Sequence, residues 1–275
     1  MRDATTTTVN ASATALPAWI RTHFGIHFTP EQLPLLDARI DGLCRERKID
    51  VHIMLSRLMT GDRDLTLRLA EVASTNHTFF FRESEVFDFY LNRVLPDLAS
   101  QDSVRIWSAA ASSGDEAYSL AILTRENWGD RANRVKILGT DISQRQVDNA
   151  ERGIYPRVQL AQLGKSPAGD SRLQRYFTPM GLEQYKLQDA IRGMCSFRRL
   201  NLTQTPWPFD KKFHAIFLRN VLYYFEPKVR RQVVESCYDA AEPGAYLITS
   251  LTEPMLDLVT RWIPVQPAIY RKALL

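Results

Sequence analysis

At 275 residues the chain is long enough for one large domain or two modest ones with a full core, and 45% hydrophobic with 24% charged residues is ordinary globular composition. A formal net charge of +4 favours acidic partners only mildly. No apolar run approaches the roughly 18 residues of a membrane span, and Cys44, Cys195 and Cys237 are odd in number without metal-like spacing, so they read as reduced thiols of a cytoplasmic protein.

Residues 1–14 carry threonines and small residues without an apolar stretch, and read as a disordered lead-in rather than a secretory signal. From 15 to 88 the pattern is helical. Leu33, Leu36, Ile40 and Leu43 recur at three- and four-residue spacing, as do Val51, Met54, Leu55 and Leu58, and the glycines and prolines between them predict several short helices. Thr29-Pro30-Glu31-Gln32 reads as a helix start with Thr29 as cap. Arg39, Arg45, Arg47, Arg57, Arg63, Arg68 and Lys48 predict a basic face here, suited to a nucleic acid or to an acidic protein helix. Phe79, Phe80 and Phe81 then read as a seal between this module and the sheet domain, with Arg82 held rigidly at the junction. An amphipathic segment from Glu85 to Leu98 leads in, and 89–103 is expected to be a linker.

At Val104 the rhythm becomes alternating strand and helix, which predicts an open α/β sheet over 104–275. Strands are expected over Val104–Ala110, Val135–Thr140, Phe213–Leu218 and Ala245–Ser250, helices over Glu116–Glu126 and Glu226–Ala241, and a hairpin strand over Trp262–Arg271. Ser143 and Gln146 predict a capped helix closed by Gly153. The alternation breaks near Phe177–Arg199, and 173–200 is expected to be a small antiparallel insertion.

The segment VRIWSAAASSGDEAYS, residues 104–119, carries the most chemistry. A buried strand running through small residues into a helix N-terminus builds a ligand pocket in such a sheet. The dinucleotide pattern G-x-G-x-x-G is missing, and Asp115 and Glu116 stand where a pyrophosphate would lie. Those acids repel phosphate and suit a cationic ligand. Asp141 ends the second strand, 27 residues after Gly114, where an acid either accepts from both ribose hydroxyls or caps the next helix. Together they favour S-adenosyl-L-methionine, whose amino group and sulfonium are positive. Arg219-Asn220 places a polar pair at the carboxyl edge of a later strand, followed by Tyr223-Tyr224-Phe225. The two prolines of amine-methylating DNA enzymes are absent there.

Taken together, Asn76-x-Thr78-x-Phe80-Phe81-Arg82, Ser108 to Ser119, Asp141-Ile142 with Gly153-Ile154-Tyr155, and Arg219-Asn220-Val221 with Tyr224-Phe225 resemble the chemotaxis-receptor methyltransferases of the CheR type, from about Leu16 to the C-terminus. The resemblance implies an N-terminal all-α domain and a Rossmann-like methyltransferase domain with a small β-subdomain. It implies methyl transfer from S-adenosyl-L-methionine to glutamate carboxylates on chemoreceptor helices, leaving S-adenosyl-L-homocysteine. It places Asn76, Thr78, Arg82, Glu116, Asp141, Asn201, Leu202, Arg219 and Asn220 around the cofactor, and Arg82 with Tyr224 on the substrate side. The basic module would then dock receptor helices, with a monomer sufficient and neither nucleic acid nor membrane insertion expected. An idle cofactor-binding sensor and a nucleic-acid methyltransferase are the alternatives. Two departures stand out: Ser250-Leu251-Thr252-Glu253 replaces the family's Gly-His-Ser-Glu, and Asp115-Glu116-Ala117 replaces Glu-Glu-Pro. With only Gly181 and Gly193, the excursion from Phe177 to Phe197 is less glycine-rich than in relatives that tether to a receptor's C-terminal peptide. No such tether is expected.

Overall fold

The computed structural model describes residues 15–75, 77–161, 163, 167–253, 255 and 258–274. The expected lead-in over 1–14 and the candidate Asn76 lie outside the described residues. Helix α1 spans residues 15–24, followed by α2 (Leu33–Arg47), α3 (Val51–Met59) and α4 (Arg63–Ala73). Asp50 caps α3 by accepting from the Ile53 N–H, and Asp62 caps α4 by accepting from the Leu65 N–H, satisfying donors that a helix start leaves unpaired. The apolar stripes meet in one cluster that includes Leu16, Ile20, Leu36, Ile40, Met54, Leu65 and Leu69. The start expected at Thr29 is displaced. Gln32 Oε1 does accept from the Thr29 N–H, but 30–32 form a turn and α2 begins at Leu33 with Pro34 in its first turn.

The basic face is thinner than the arginine count suggests. Arg47 pairs with Asp64 at 2.8 Å, Arg57 with Asp62, Arg68 with Glu46 at 2.9 Å, and Arg39 donates to the Val72 carbonyl. These cations knit the module together. Among the described residues, Arg45, Lys48 and Arg63 are exposed and make no salt bridge.

Over 89–103, where a linker was the sequence expectation, the chain is helical as far as Asp97. Helix α5 (Ser84–Phe89) runs through a π-turn (Tyr90–Val94) into α6 (Leu95–Asp97). One face of this stretch, Tyr90, Val94, Leu95 and Leu98, is needed to cover the sheet and is buried in the main core. Phe80 likewise packs edge-on against Tyr155 and Phe177, so the aromatic wedge seals the small subdomain to the core and not the helical module.

Strand β1 (Val104–Ala109) leads through a tight loop to α7 (Asp115–Trp128), then β2 (Val135–Asp141) and α8 (Gln144–Arg152), which Ser143 caps. The insertion begins earlier and ends earlier than the expected 173–200. It comprises β3 (Ile154–Pro156), α9 (Arg157–Leu160), α10 (Pro167–Tyr176), β4 (Phe177–Met180) and β5 (Gln184–Leu187), with the strands in the antiparallel order β3-β5-β4. After α11 (Asp189–Arg192), β6 (Cys195–Arg199) leaves the insertion and pairs in parallel with β2, Cys195 opposite Ile137. Strand β7 (Phe213–Leu218), α12 (Pro227–Asp239), β8 (Ala241–Ile248) and the hairpin β9 (Ile263–Gln266) and β10 (Ile269–Arg271) complete the chain. The main sheet has seven strands in the order β6-β2-β1-β7-β8-β10-β9. β10 runs antiparallel to both neighbours, while β6, β2, β1, β7 and β8 are parallel. The three cysteines are free thiols, Cys44 and Cys237 buried and Cys195 partly so.

Candidate active site

Strand order reverses between β1 and β7, and open α/β sheets bind ligands beyond the carboxyl ends of strands at such a switch point. A cavity lies there. Its walls include Ala110, Ser112, Glu116, Asp141, Leu202 and Arg219 from the sheet, with Thr78, Arg82 and Tyr224 across from them. Asn201 and Asn220 also line it, so every described residue that the sequence singled out as a site residue meets in one place.

The loop after β1 needs its small residues. Ala110, Ser112 and Gly114 all have left-handed backbones, with φ of 70°, 48° and 89°. A Cβ on Gly114 would stand 3.0–3.1 Å from Ala150, Phe197 and Tyr118 as well as straining that backbone. This curl lets the Ser112 N–H donate to Asp141 Oδ2 at 2.9 Å, while the Ser143 N–H donates to Oδ1 at 2.9 Å. Asp141 is thus fixed by two backbone donors, and each oxygen keeps a lone pair for a further donor such as a hydroxyl. Ser143, not Asp141, caps α8. Burial pushes the Asp141 carboxyl above its ordinary range against the pull of those N–H groups.

Glu116 sits in the first turn of α7. Its Oε1 accepts from Ser108 Oγ at 2.6 Å and its Oε2 from Arg219 Nη1 at 2.8 Å. Burial pushes this carboxyl up too, opposed by Arg219 and Ser108. Arg219 is almost fully enclosed, with 2% of its side chain exposed. It also donates to the Arg82 carbonyl, lies 3.4 Å from Glu83 and stands over the Phe87 ring. A buried guanidinium needs such company, because isolated burial of a charge is costly.

Two carboxylates missed in the sequence organise the remaining walls. Glu83 accepts from Asn220 Nδ2, Ser250 Oγ and the Leu251 N–H, so one side chain ties three segments together. Burial would raise its carboxyl, but Arg219, Asn220, Leu251 and Ser250 hold it below the ordinary value. Glu253 accepts from the Asn220 and Tyr223 N–H groups. This holds Asn220 at φ 56°, a left-handed conformation asparagine tolerates better than most residues. The adjacency of Glu83 to Arg82, and the acid closing the Ser250–Glu253 loop, were the available signals.

Arg82 lies between two strained neighbours, Phe81 at φ 58° and Glu83 at φ 61°. The Phe81 N–H donates to Ser119 Oγ at 3.0 Å, and Glu83 anchors the other side. The Arg82 side chain, 27% exposed, donates through Nη1 to the His77 carbonyl at 2.7 Å and rests near the Phe79 ring. Tyr224 rides on a 3₁₀ turn (Leu222–Tyr224), and its hydroxyl donates to the Thr75 carbonyl at 3.3 Å. The helical module closes the cavity. Phe24 and Ile26 line it, the His27 N–H donates to the Tyr224 carbonyl at 2.7 Å, and Asn201 Nδ2 donates to the His23 carbonyl. The Asn201 side chain therefore holds α1 in place. Gly25 permits this approach: its φ is 72°, and a Cβ would lie 2.4 Å from Thr203.

One wall thus offers a fixed carboxylate for two hydroxyls, a second carboxylate at a helix start, and Ser112 Oγ, buried without a hydrogen-bond partner among the described residues. That donor set fits a nucleoside bearing a cationic tail. A parallel sheet reversing between β1 and β7, with a strand-end acid and, among the described residues, no glycine-rich phosphate loop, is the arrangement expected of an S-adenosyl-L-methionine-dependent methyltransferase, and the family match bears this out. The profile of the CheR methyltransferase, SAM binding domain, matches residues 76–268. The chain belongs to the CheR methyltransferase family, and its cofactor is S-adenosyl-L-methionine. It is 32% identical to a chemotaxis protein methyltransferase of Borreliella burgdorferi, over 91% of this chain and 90% of that protein. It is 33% identical to chemotaxis protein methyltransferase 1 of Pseudomonas aeruginosa, over 87% and 89%. Identity to chemotaxis protein methyltransferase 1 of Vibrio cholerae is 31%, over 89% of each chain.

Proposed function

We propose that this methyltransferase esterifies glutamate side chains on the cytoplasmic helices of methyl-accepting chemoreceptors, leaving S-adenosyl-L-homocysteine and tuning receptor adaptation. The observation that carries the reading is the pair of donors opposite the carboxylate wall. Arg82 and Tyr224 donate to the carbonyls of His77 and Thr75, neutral acceptors two residues apart on one segment. The one carboxylate near Arg82 among the described residues, Glu83, stands 4.0 Å from its Nε and leaves the outer guanidinium nitrogens for a closer partner. An incoming carboxylate offers both donors a charged acceptor, and charge-assisted hydrogen bonds are roughly twice as strong as neutral ones. The names of the relatives, chemotaxis protein methyltransferases, point the same way.

Bound S-adenosyl-L-methionine supplies a methyl group activated by a positive sulfonium. Asp141 would hold the ribose hydroxyls, and Glu116, backed by Arg219, would face the cationic tail, with Thr78, Leu202 and Asn220 shaping the walls. A glutamate, with an ordinary pKa of about 4.3, is already ionised at neutral pH, so no general base is required. What remains is desolvation and alignment of a weak oxygen nucleophile. Arg82 orients one oxygen while the other attacks, and the Tyr224 hydroxyl completes the grip. Too strong an ion pair would quench the nucleophile, so Arg82 positions rather than activates. Arg45, Lys48 and Arg63, exposed cations of the helical module with no salt bridge among the described residues, would dock acidic receptor helices. The enzyme would act in the cytoplasm as a monomer.

The test is transfer of labelled methyl from S-adenosyl-L-methionine to a chemoreceptor cytoplasmic fragment. Label released as volatile methanol by mild base is expected. Label that resists base, or cofactor binding without transfer, contradicts the reading.

A further inference from the structure

Tyr223 stands in the segment read after Arg219-Asn220 but was given no role in the site, which drew on its neighbour Tyr224. It stands beside Tyr224 at the rim of the cavity, 51% exposed. The two rings lie 4.3 Å apart between centroids. The Tyr223 hydroxyl donates to Tyr224 Oη at 3.1 Å, and Tyr224 donates onward to the Thr75 carbonyl at 3.3 Å.

A phenol has one proton to donate and two lone pairs to accept with, and its hydroxyl rotates to suit its neighbours. A carboxylate only accepts. A Tyr224 hydroxyl free to rotate could turn a lone pair toward it, which would repel. We propose that Tyr223 is a positioning residue for methyl transfer: by donating to Tyr224, its hydroxyl commits Tyr224 to presenting a proton to the substrate carboxylate. The inference rests on the reading of Tyr224 as a substrate contact. The same donation polarises the Tyr224 O–H, and hydrogen bonds in a chain strengthen one another. The long bond to Thr75 is the one a carboxylate would displace.

The geometry is held from behind. Glu253 Oε1 accepts from the Tyr223 N–H at 3.1 Å, and the 3₁₀ turn carries both rings on one rigid segment. Burial of the ring's inner side and its bond to Tyr224 push the Tyr223 phenol above its ordinary range, so the donor keeps its proton at neutral pH.

A double-mutant cycle tests this. Wild type, Tyr223→Phe, Tyr224→Phe and the double variant are assayed for base-labile methyl transfer to the chemoreceptor cytoplasmic fragment, and titrated calorimetrically with S-adenosyl-L-methionine. Tyr223→Phe keeps the ring beside Tyr224 and removes one proton, and is expected to lower kcat/KM by about fivefold with cofactor affinity unchanged. In the Tyr224→Phe background the same change is expected to have no effect, since the acceptor of its hydrogen bond is gone. A merely structural Tyr223 would show its loss in both backgrounds, and that result overturns the relay. So does a Tyr223→Phe enzyme that performs as wild type while Tyr224→Phe is impaired, although Tyr224 then keeps its role. If Tyr224→Phe is itself unimpaired, the substrate-side reading fails and the relay falls with it.

Discussion

The two walls of the cavity are built to different standards. On the sheet side, Asp141 and Glu116 are buried and hold bonds of 2.6–2.9 Å to partners that cannot leave, two backbone N–H groups, Ser108 and Arg219. On the opposite side, Arg82 and Tyr224 are partly exposed, Tyr224 reaches the Thr75 carbonyl at 3.3 Å, and Arg82 donates to the His77 carbonyl at 2.7 Å with Glu83 no nearer than 4.0 Å. On the proposed reading, a cofactor common to every turnover would be met by preorganised groups, and a variable protein surface by donors with replaceable partners. Glu83 joins the walls, because it anchors the Arg82 loop to Asn220 and to the loop after β8.

The division can be broken most sharply at Arg82. Arg82→Ala should reduce turnover by about a hundredfold to a thousandfold, the range seen when a positioned donor is removed, while cofactor affinity falls far less. Single-turnover rates beside calorimetry check this, and equal losses in both would erase the distinction between walls. Next is Glu116→Gln, expected to weaken S-adenosyl-L-methionine binding by about tenfold to a hundredfold, the equivalent of one charged hydrogen bond. The pH dependence has a sign. Burial raises the Glu116 and Asp141 carboxyls, so on acidification they take up protons before ordinary carboxylates do. Cofactor affinity should therefore start to fall while pH is still above 4.5, the ordinary glutamate value. A titration flat down to that pH would contradict the burial argument.

Glu83→Gln removes charge from the joint between the walls and should cost about 2 kcal/mol of stability at neutral pH, because Arg219 loses a close counter-charge in a mostly enclosed site. The Glu83 carboxyl is held below its ordinary value of 4.5, so its contribution is present above that pH and is lost as pH falls through the folded value. Urea unfolding of the two proteins should thus show a gap that narrows in acid. The smallest effect belongs to the docking face. Reversing Arg45, Lys48 and Arg63 to glutamate should raise the apparent KM for the receptor fragment several-fold, less at high salt, and leave kcat and cofactor binding alone. An unchanged KM would remove the helical module from substrate capture.

Local patterning made the sheet side legible. Strand β7 spans Phe213–Leu218 as read, Ser143 caps α8, and Asp141 stands at the end of β2, because alternation, capping and strand-end position are properties of short segments. Partner choice was not legible. Ile154–Pro156 joins the small sheet and Cys195–Arg199 leaves it for β2, decisions made by pairing across some 30 and 60 residues. The arginines of the helical module looked like one face until Glu46, Asp62 and Asp64 were seen to occupy several of them. Glu83 and Glu253 were assigned no role from the sequence, since what they do depends on left-handed turns at Glu83 and Asn220 that bring three loops within reach.

The central claim is that the donors opposite Glu116 and Asp141 receive a carboxylate. Tandem mass spectrometry of a chemoreceptor cytoplasmic fragment after incubation with the enzyme and S-adenosyl-L-methionine tests it most directly. The account predicts single methyl groups on glutamate side chains, removed by mild base and formed at least about a hundredfold more slowly with Arg82→Ala. Methyl groups on nitrogen, or base-stable methylation at residues other than glutamate, would contradict it.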